Sequence, residues 1–124
     1  MAYSYNDAKK IIVGTWHINK PATAKLNPQL DDEDKTLLKK FDGHVEIKPT
    51  VINLLGGSKG DEVKYELKPF EDSDKEEDKF DINGYTGKEN TQYRYGDIKV
   101  LSPTKIVFTI YRGLYPIVLD KDKD

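Results

Sequence analysis

The chain has 124 residues, enough for one domain (1–124) with one sizeable buried core. Apolar residues make up 36% and charged residues 34%, with a net charge of −2 and both signs interspersed, which excludes a basic nucleic-acid footprint. Cysteine is absent, which excludes disulfides and thiolate chemistry, and no apolar run approaches the ~20 residues that a membrane-spanning helix needs.

The opening, Met1 to Asp7, lacks the charged-then-apolar pattern of a secretory leader. As written, the sequence is that of a cytoplasmic protein; it is that of an extracytoplasmic one if a leader has been removed. Residues 4–10 predict a short helical turn, capped by Ser4 or Asn6, with Asp7 near the positive end of the helix dipole.

Residues 11–19 predict the first strand, with Ile11, Ile12, Val13 and Thr15 around Gly14. Counting by two puts Ile12, Gly14, Trp16 and Ile18 on the inward face, and Val13, Thr15 and His17 on the outward one. Residues 20–29, with Pro21 and Pro28, read as loop. A helix is predicted over 29–41. Asp31, Asp32, Glu33 and Asp34 crowd its first turns and Lys39 and Lys40 its last, the charge order that the dipole favours. Leu30, Leu37, Leu38 and Phe41 share one face, and Asp42-Gly43 ends it.

From there the period is two. His44 to Lys48 alternates, Pro49 marks an edge position or a bulge, and Val51 to Leu55 resumes. Gly56 to Gly60 is a hairpin turn; it lacks the spacing of a phosphate loop and no helix follows it. Val63, Tyr65 and Leu67 alternate with lysine and glutamate. Residues 71–78 are an acidic loop, and a short strand follows from Phe80 and Ile82 to Tyr85. Tyr93 and Tyr95 share one parity and Ile98 and Val100 the other, so Gly96-Asp97 marks a bulge or a strand end. Ser102-Pro103 turns into 105–112, where Ile106, Phe108, Ile110 and Arg112 share a side. A last run covers Tyr115 to Leu119, and the charged tail from Asp120 is read as frayed.

The expected fold is mainly β: a single up-and-down antiparallel barrel of about eight strands, with one helix after the first strand. The triplet Gly14-Thr15-Trp16, after a short helical turn, resembles the first signature of the lipocalins and the wider calycin group. The length and the paired late strands are similar to the bacterial lipocalin-like domains. The resemblance implies that Trp16 packs across the barrel base and that an arginine from the last strands lies over its ring; Arg112 is the matching residue. It also implies that the helix after the first strand covers the open end, with Leu37, Leu38 and Phe41 as the covering face.

Candidate chemistry is sparse. His17 and His44 fall on outward parities, and no nucleophile–base arrangement is evident, so no catalytic residue is assigned. Asp72, Asp74, Glu76 and Asp78 alternate as calcium ligands do, but lack the glycine and terminal glutamate of a calcium loop; they read as solvated charge, and no metal or cofactor is expected. Eight tyrosines are many for this length. In a barrel, Tyr65, Leu67, Phe80, Tyr93, Tyr95, Phe108 and Ile110 are expected to line a semi-polar pocket, with Ile47, Val63 and Ile82 beside them, and tyrosine hydroxyls orienting the ligand. The expected function is a non-enzymatic binding protein that holds a small apolar or amphipathic ligand inside the barrel, as monomer or homodimer. The alternative is a protein-interaction or inhibitor domain that uses the acidic loop 71–78, or strand addition at an edge such as His44 to Lys48.

Overall fold

The computed structural model describes residues 3–40, 44–55, 61–69, 78–86, 91–111 and 115–122. Eight antiparallel strands follow one another around a closed barrel: β1 (Gly14–Ile18), β2 (His44–Ile47), β3 (Val51–Leu55), β4 (Asp61–Pro69), β5 (Lys79–Thr86), β6 (Thr91–Ser102), β7 (Lys105–Ile110) and β8 (Ile117–Lys121). The seam is the β1–β8 pair, where Trp16 faces Lys121 and Ile18 faces Leu119. The expected barrel is what forms. Closure leaves β2 paired on both sides, with β1 and β3, so the segment from His44 is no edge and strand addition there is ruled out.

Period two decides what is inside. Trp16, Ile47, Ile52, Ile82, Ile98, Ile106 and Phe108 are all buried to 1% exposure or less and form one contiguous cluster. The two tyrosine–isoleucine parities of β6 are reconciled by a bulge. Ile82 pairs with Gly96 and Asn83 with Arg94, so Tyr95 is the extra residue. The slip lets Tyr95 pack on the same core as Ile98 and Val100. Gly96 is needed there: a Cβ on it would lie 2.0 Å from the Thr109 carbonyl oxygen of β7.

Among the described residues three helices accompany the barrel, where the sequence predicts a turn and one helix. The first, α1 (Tyr5–Ile11), is capped by the Ser4 hydroxyl, which accepts from the Asp7 N–H. It runs further than the predicted turn, so Ile11 and Ile12 belong to the helix end and β1 starts only at Gly14. Ala8 and Ile12, four apart, are buried against the core, and this pairing outweighs the β propensity of the isoleucines.

Residues 20–29 are not simply loop. They hold α2 (Lys20–Leu26), capped by the Asn19 side chain, which accepts from the Ala22 N–H at 3.0 Å. Pro21 stands in its first turn, where a missing N–H costs nothing, so this proline marks a helix start and not a break. The last helix, α3 (Asp32–Lys40), starts later than predicted; the Asp31 carboxylate accepts from the Asp34 N–H at 2.8 Å. Leu30 and Leu38 are buried, while the Leu37 side chain and Phe41 lie outside the described residues.

The start of the charged tail, expected to be frayed, is held in place, while residues 123 and 124 lie outside the described residues. Asp120 and Lys121 are in β8; the Asp122 N–H donates to the Thr15 carbonyl at 2.8 Å, and its carboxylate meets the His17 imidazole on the exposed surface.

Candidate functional site

Gly14 and Trp16 stand at the start of β1. Trp16 is wholly buried, and its indole Nε1–H donates to the Ile12 carbonyl at 2.9 Å. Among the described residues a cation lies over the ring: Lys121 of β8, its Nζ 5.3 Å from the ring and donating to the Ile11 carbonyl at 2.7 Å. Arg112 lies outside the described residues. Gly14 explains how the lysine gets there. It has φ +150°, and a Cβ on it would meet Lys121 Cε at 2.7 Å, so the missing side chain is the channel for the lysine stem. One ammonium thereby ties the end of α1, the indole and the last strand.

Beside this closure α1 sits over the end of the barrel where β1 begins. Tyr5 donates its hydroxyl to the Leu67 carbonyl of β4, and its ring lies 6.3 Å from that of Phe80. The helix does not seal the rim completely. Between α1, the Pro49-Thr50 turn and β4 there is a groove of about 1120 Å³ open to solvent. Ile12, Val13, Pro49 and Leu67 give it apolar surface; Tyr5, Tyr65 and Tyr85 give aromatic rings; Lys9, Lys10 and Lys64 stand on its walls with Glu66.

The electrostatics of the groove favour an anion. Glu66 is held below the usual carboxylate range by hydrogen bonds from Tyr85 and Lys68, so its charge is already answered by neighbours. Burial pushes the Tyr65 hydroxyl up to about 12, with Tyr5 adding to the shift, and it donates to the Lys48 carbonyl at 2.7 Å. All three tyrosine hydroxyls therefore spend their proton on the protein. They can accept from a ligand, while the lysine ammonium groups are the donors.

The seven expected lining residues do not share one pocket. Tyr65 and Leu67 reach the groove. Phe80 is buried beneath α1, and Phe108 and Ile110 are buried in the core. Tyr93 and Tyr95 are half-buried, edge to face at 6.2 Å, with Tyr95 also 6.4 Å from Phe108. The sequence reading missed Tyr5, Lys9, Lys10, Val13 and Lys64. The signal for the first two was present: they are one helical turn apart, and Lys9 Nζ lies 5.4 Å from the Tyr5 ring.

A second polar constellation was missed as well. The β5–β6 register sets Asp81 directly opposite Asp97 on the outer wall, and both are buried, at 5% and 7% exposure. Like charges so placed repel. Arg94 answers Asp81 at 3.4 Å and Lys79 approaches Asp97 at 3.9 Å. The Tyr111 hydroxyl donates to Asp97 at 2.7 Å and, through burial first and that bond second, is pushed up to about 12. The cluster is satisfied internally and reads as a wall brace.

His17 and His44 are exposed, as their parity predicts. Among the described residues no group of three or more histidine, aspartate or glutamate side chains is placed to hold a metal ion. Of the acidic loop, Asp72, Asp74 and Glu76 lie outside the described residues, and the Asp78 carboxylate accepts from the Tyr3 N–H. No helix among the described residues is long and apolar enough to cross a membrane. Compared with protein-family models, curated proteins and solved structures, the chain gives no match.

Proposed function

We propose that this protein is a non-enzymatic binding protein, a lipocalin-like barrel that holds a small amphipathic molecule with a negative head. The site is the groove beside α1 and not the middle of the barrel. One observation carries this reading: the groove joins an apolar floor to three lysines and one carboxylate that is hydrogen-bonded to Tyr85 and ion-paired with Lys68. Apolar contact supplies most of the affinity, and the ammonium groups select the head. The interior argues in the same direction. A barrel of eight strands is only about wide enough for its own side chains or one small ligand, and here Trp16, Phe108 and the isoleucines occupy it.

The test is direct. Ile12 lines the groove and its carbonyl accepts from the indole of Trp16, so a bound ligand is expected to change tryptophan emission. Titration with a long-chain carboxylate and with the matching alcohol, together with mass spectrometry of the purified protein, should show binding with the carboxylate preferred. The double variant Val13→Glu, Lys64→Glu should bind the carboxylate at least about tenfold more weakly, roughly the loss of one favourable ionic contact. Absence of binding to either compound, or equal binding by the variant, would refute the reading.

A further inference from the structure

The outer wall of the barrel carries a second recess, far in character from the first. It lies between α2 and the outward faces of β6, β7 and β8, with a volume of about 600 Å³. The helix is fixed there by specific bonds. The Val118 N–H donates to the Thr23 hydroxyl at 2.9 Å, and the Asn27 amide donates to the Pro116 carbonyl at 2.7 Å. The recess is therefore a built feature, and its floor is Val107, Pro116 and Val118.

Among the described residues, the large hydrophobics left most exposed are Leu26 at 47%, Leu101 at 46% and Tyr111 at 42%. Leu26 and Leu101 line this recess, and Tyr111 is bonded to Asp97, which also lines it. Exposed apolar surface gathered on one face marks a contact site more often than chance scatter does. Among the described residues that line it the charges are mostly positive: Lys25, Lys79 and Lys99 against Asp97, whose carboxylate is met by Tyr111 and Lys79. Moreover, Lys79 and Lys99 are register partners across β5 and β6. Lys79 is engaged by Asp97 at 3.9 Å, which leaves Lys25 and Lys99 as the cations that an acidic segment would meet.

We infer that this recess docks a short acidic peptide segment of a partner protein, with a large apolar side chain seated between Leu26 and Leu101 and carboxylates over Lys25 and Lys99. A peptide fits better than a lipid surface. A peptide brings both an apolar side chain for the recess lined by Val107 and Val118 and carboxylates for Lys25 and Lys99, whereas the phosphatidylcholine of a bilayer has no net charge to offer them.

The experiment is a random-peptide display selection against the whole protein, with counter-selection against the variant Lys99→Glu, Leu101→Ser. Both positions are on the outer wall, so the variant should keep the wild-type circular dichroism and Trp16 emission. Peptides that survive should carry aspartate or glutamate flanking an apolar residue. They should shift amide resonances of Leu26, Lys99, Leu101 and Val107 and bind the variant at least tenfold more weakly. Vesicles of phosphatidylcholine with phosphatidylserine are run in parallel. No variant-sensitive peptide, enrichment of basic peptides, or variant-sensitive binding to vesicles alone would each overturn the inference.

Discussion

Lys121 is the sharpest place to test how the barrel is shut. Its ammonium donates to the Ile11 carbonyl at 2.7 Å and lies 5.3 Å from the Trp16 ring. Lys121→Met keeps most of the stem that runs past Gly14 and removes both interactions. A hydrogen bond from a charged donor contributes about 1.5–3 kcal/mol, and a cation over an indole about 0.5–2 kcal/mol. The two share one ammonium and one desolvation cost, so they do not add. A loss of about 2 kcal/mol is expected, or roughly 6–10 °C in Tm for a chain of this size. Urea unfolding followed by Trp16 emission and by far-ultraviolet circular dichroism measures it. Gly14→Ala supplies the control. Its cost combines backbone strain at φ +150° with a Cβ 2.7 Å from Lys121 Cε, and only the second part needs the lysine. In a cycle with Lys121→Ala, the double variant should therefore be more stable than the sum of the single losses predicts, by at least about 0.5 kcal/mol. Strict additivity, or a Lys121→Met loss below about 0.5 kcal/mol, would show that the lysine is a bystander.

Gly96→Ala should be among the most damaging single changes, about 3 kcal/mol or more, because its Cβ would press on the Thr109 carbonyl oxygen, a backbone atom in the neighbouring strand; equilibrium unfolding measures it, and a soluble, wild-type-stable variant would contradict the close approach. Asn27→Ala strips the two hydrogen bonds that the amide donates, to the Thr23 and Pro116 carbonyls, and one that it accepts from Gln29, from a site that is 1% exposed. A loss of about 1–3 kcal/mol is expected, with faster amide exchange confined to α2 and the start of β8. In alkali, the raised hydroxyl pKa values of Tyr65 and Tyr111, both about 12, mean that the folded chain keeps protons that the unfolded chain has begun to release near 10. Stability should hold up to pH 10 and fall as pH climbs from there toward 12. Tyr65→Phe should flatten that decline relative to wild type in urea titrations at each pH, and an unchanged slope would disprove the assignment.

How much of this was legible in the sequence differs by element. Alternation from His44 onward announced the barrel, because period two survives wherever one face of a strand is buried. Even the parity break at Gly96 was readable, since a two-phase strand must slip somewhere, and it slips at Tyr95. The helix α2 was hidden by Pro21, a residue that both breaks helices and begins them; only the Asn19 cap two residues earlier separates the two meanings. Gly14 and Trp16 were legible as a motif, but that Lys121 reaches the indole depends on which late residue comes level with Trp16 across the seam. That is a matter of register, and register is not local. The groove was illegible for a related reason: its walls come from α1, the Pro49 turn and β4, which are far apart in sequence.

The closed ladder also constrains where recognition can occur. Each of the eight strands has a neighbouring strand on both sides, and the interior among the described residues is taken by the protein's own side chains. What remains is the seam where a helix rests on the barrel. A helix with its side chains is about 10–12 Å across and straight, whereas the barrel wall and rim are curved, so the two touch along a line and leave a trough beside it. Both grooves arise in this way, one beside α1 and one beside α2, and both carry lysines. Their chemistry separates them. The α1 trough reaches the core through Ile12 and Leu67, so an occupant there must couple to Trp16; the α2 trough touches only outward-facing residues. Ligands of the first should therefore raise the unfolding temperature and alter tryptophan emission together, whereas ligands of the second should leave the indole silent. A compound that quenched Trp16 while its binding depended on Leu101 would break this division, and with it the separate roles assigned to the two troughs.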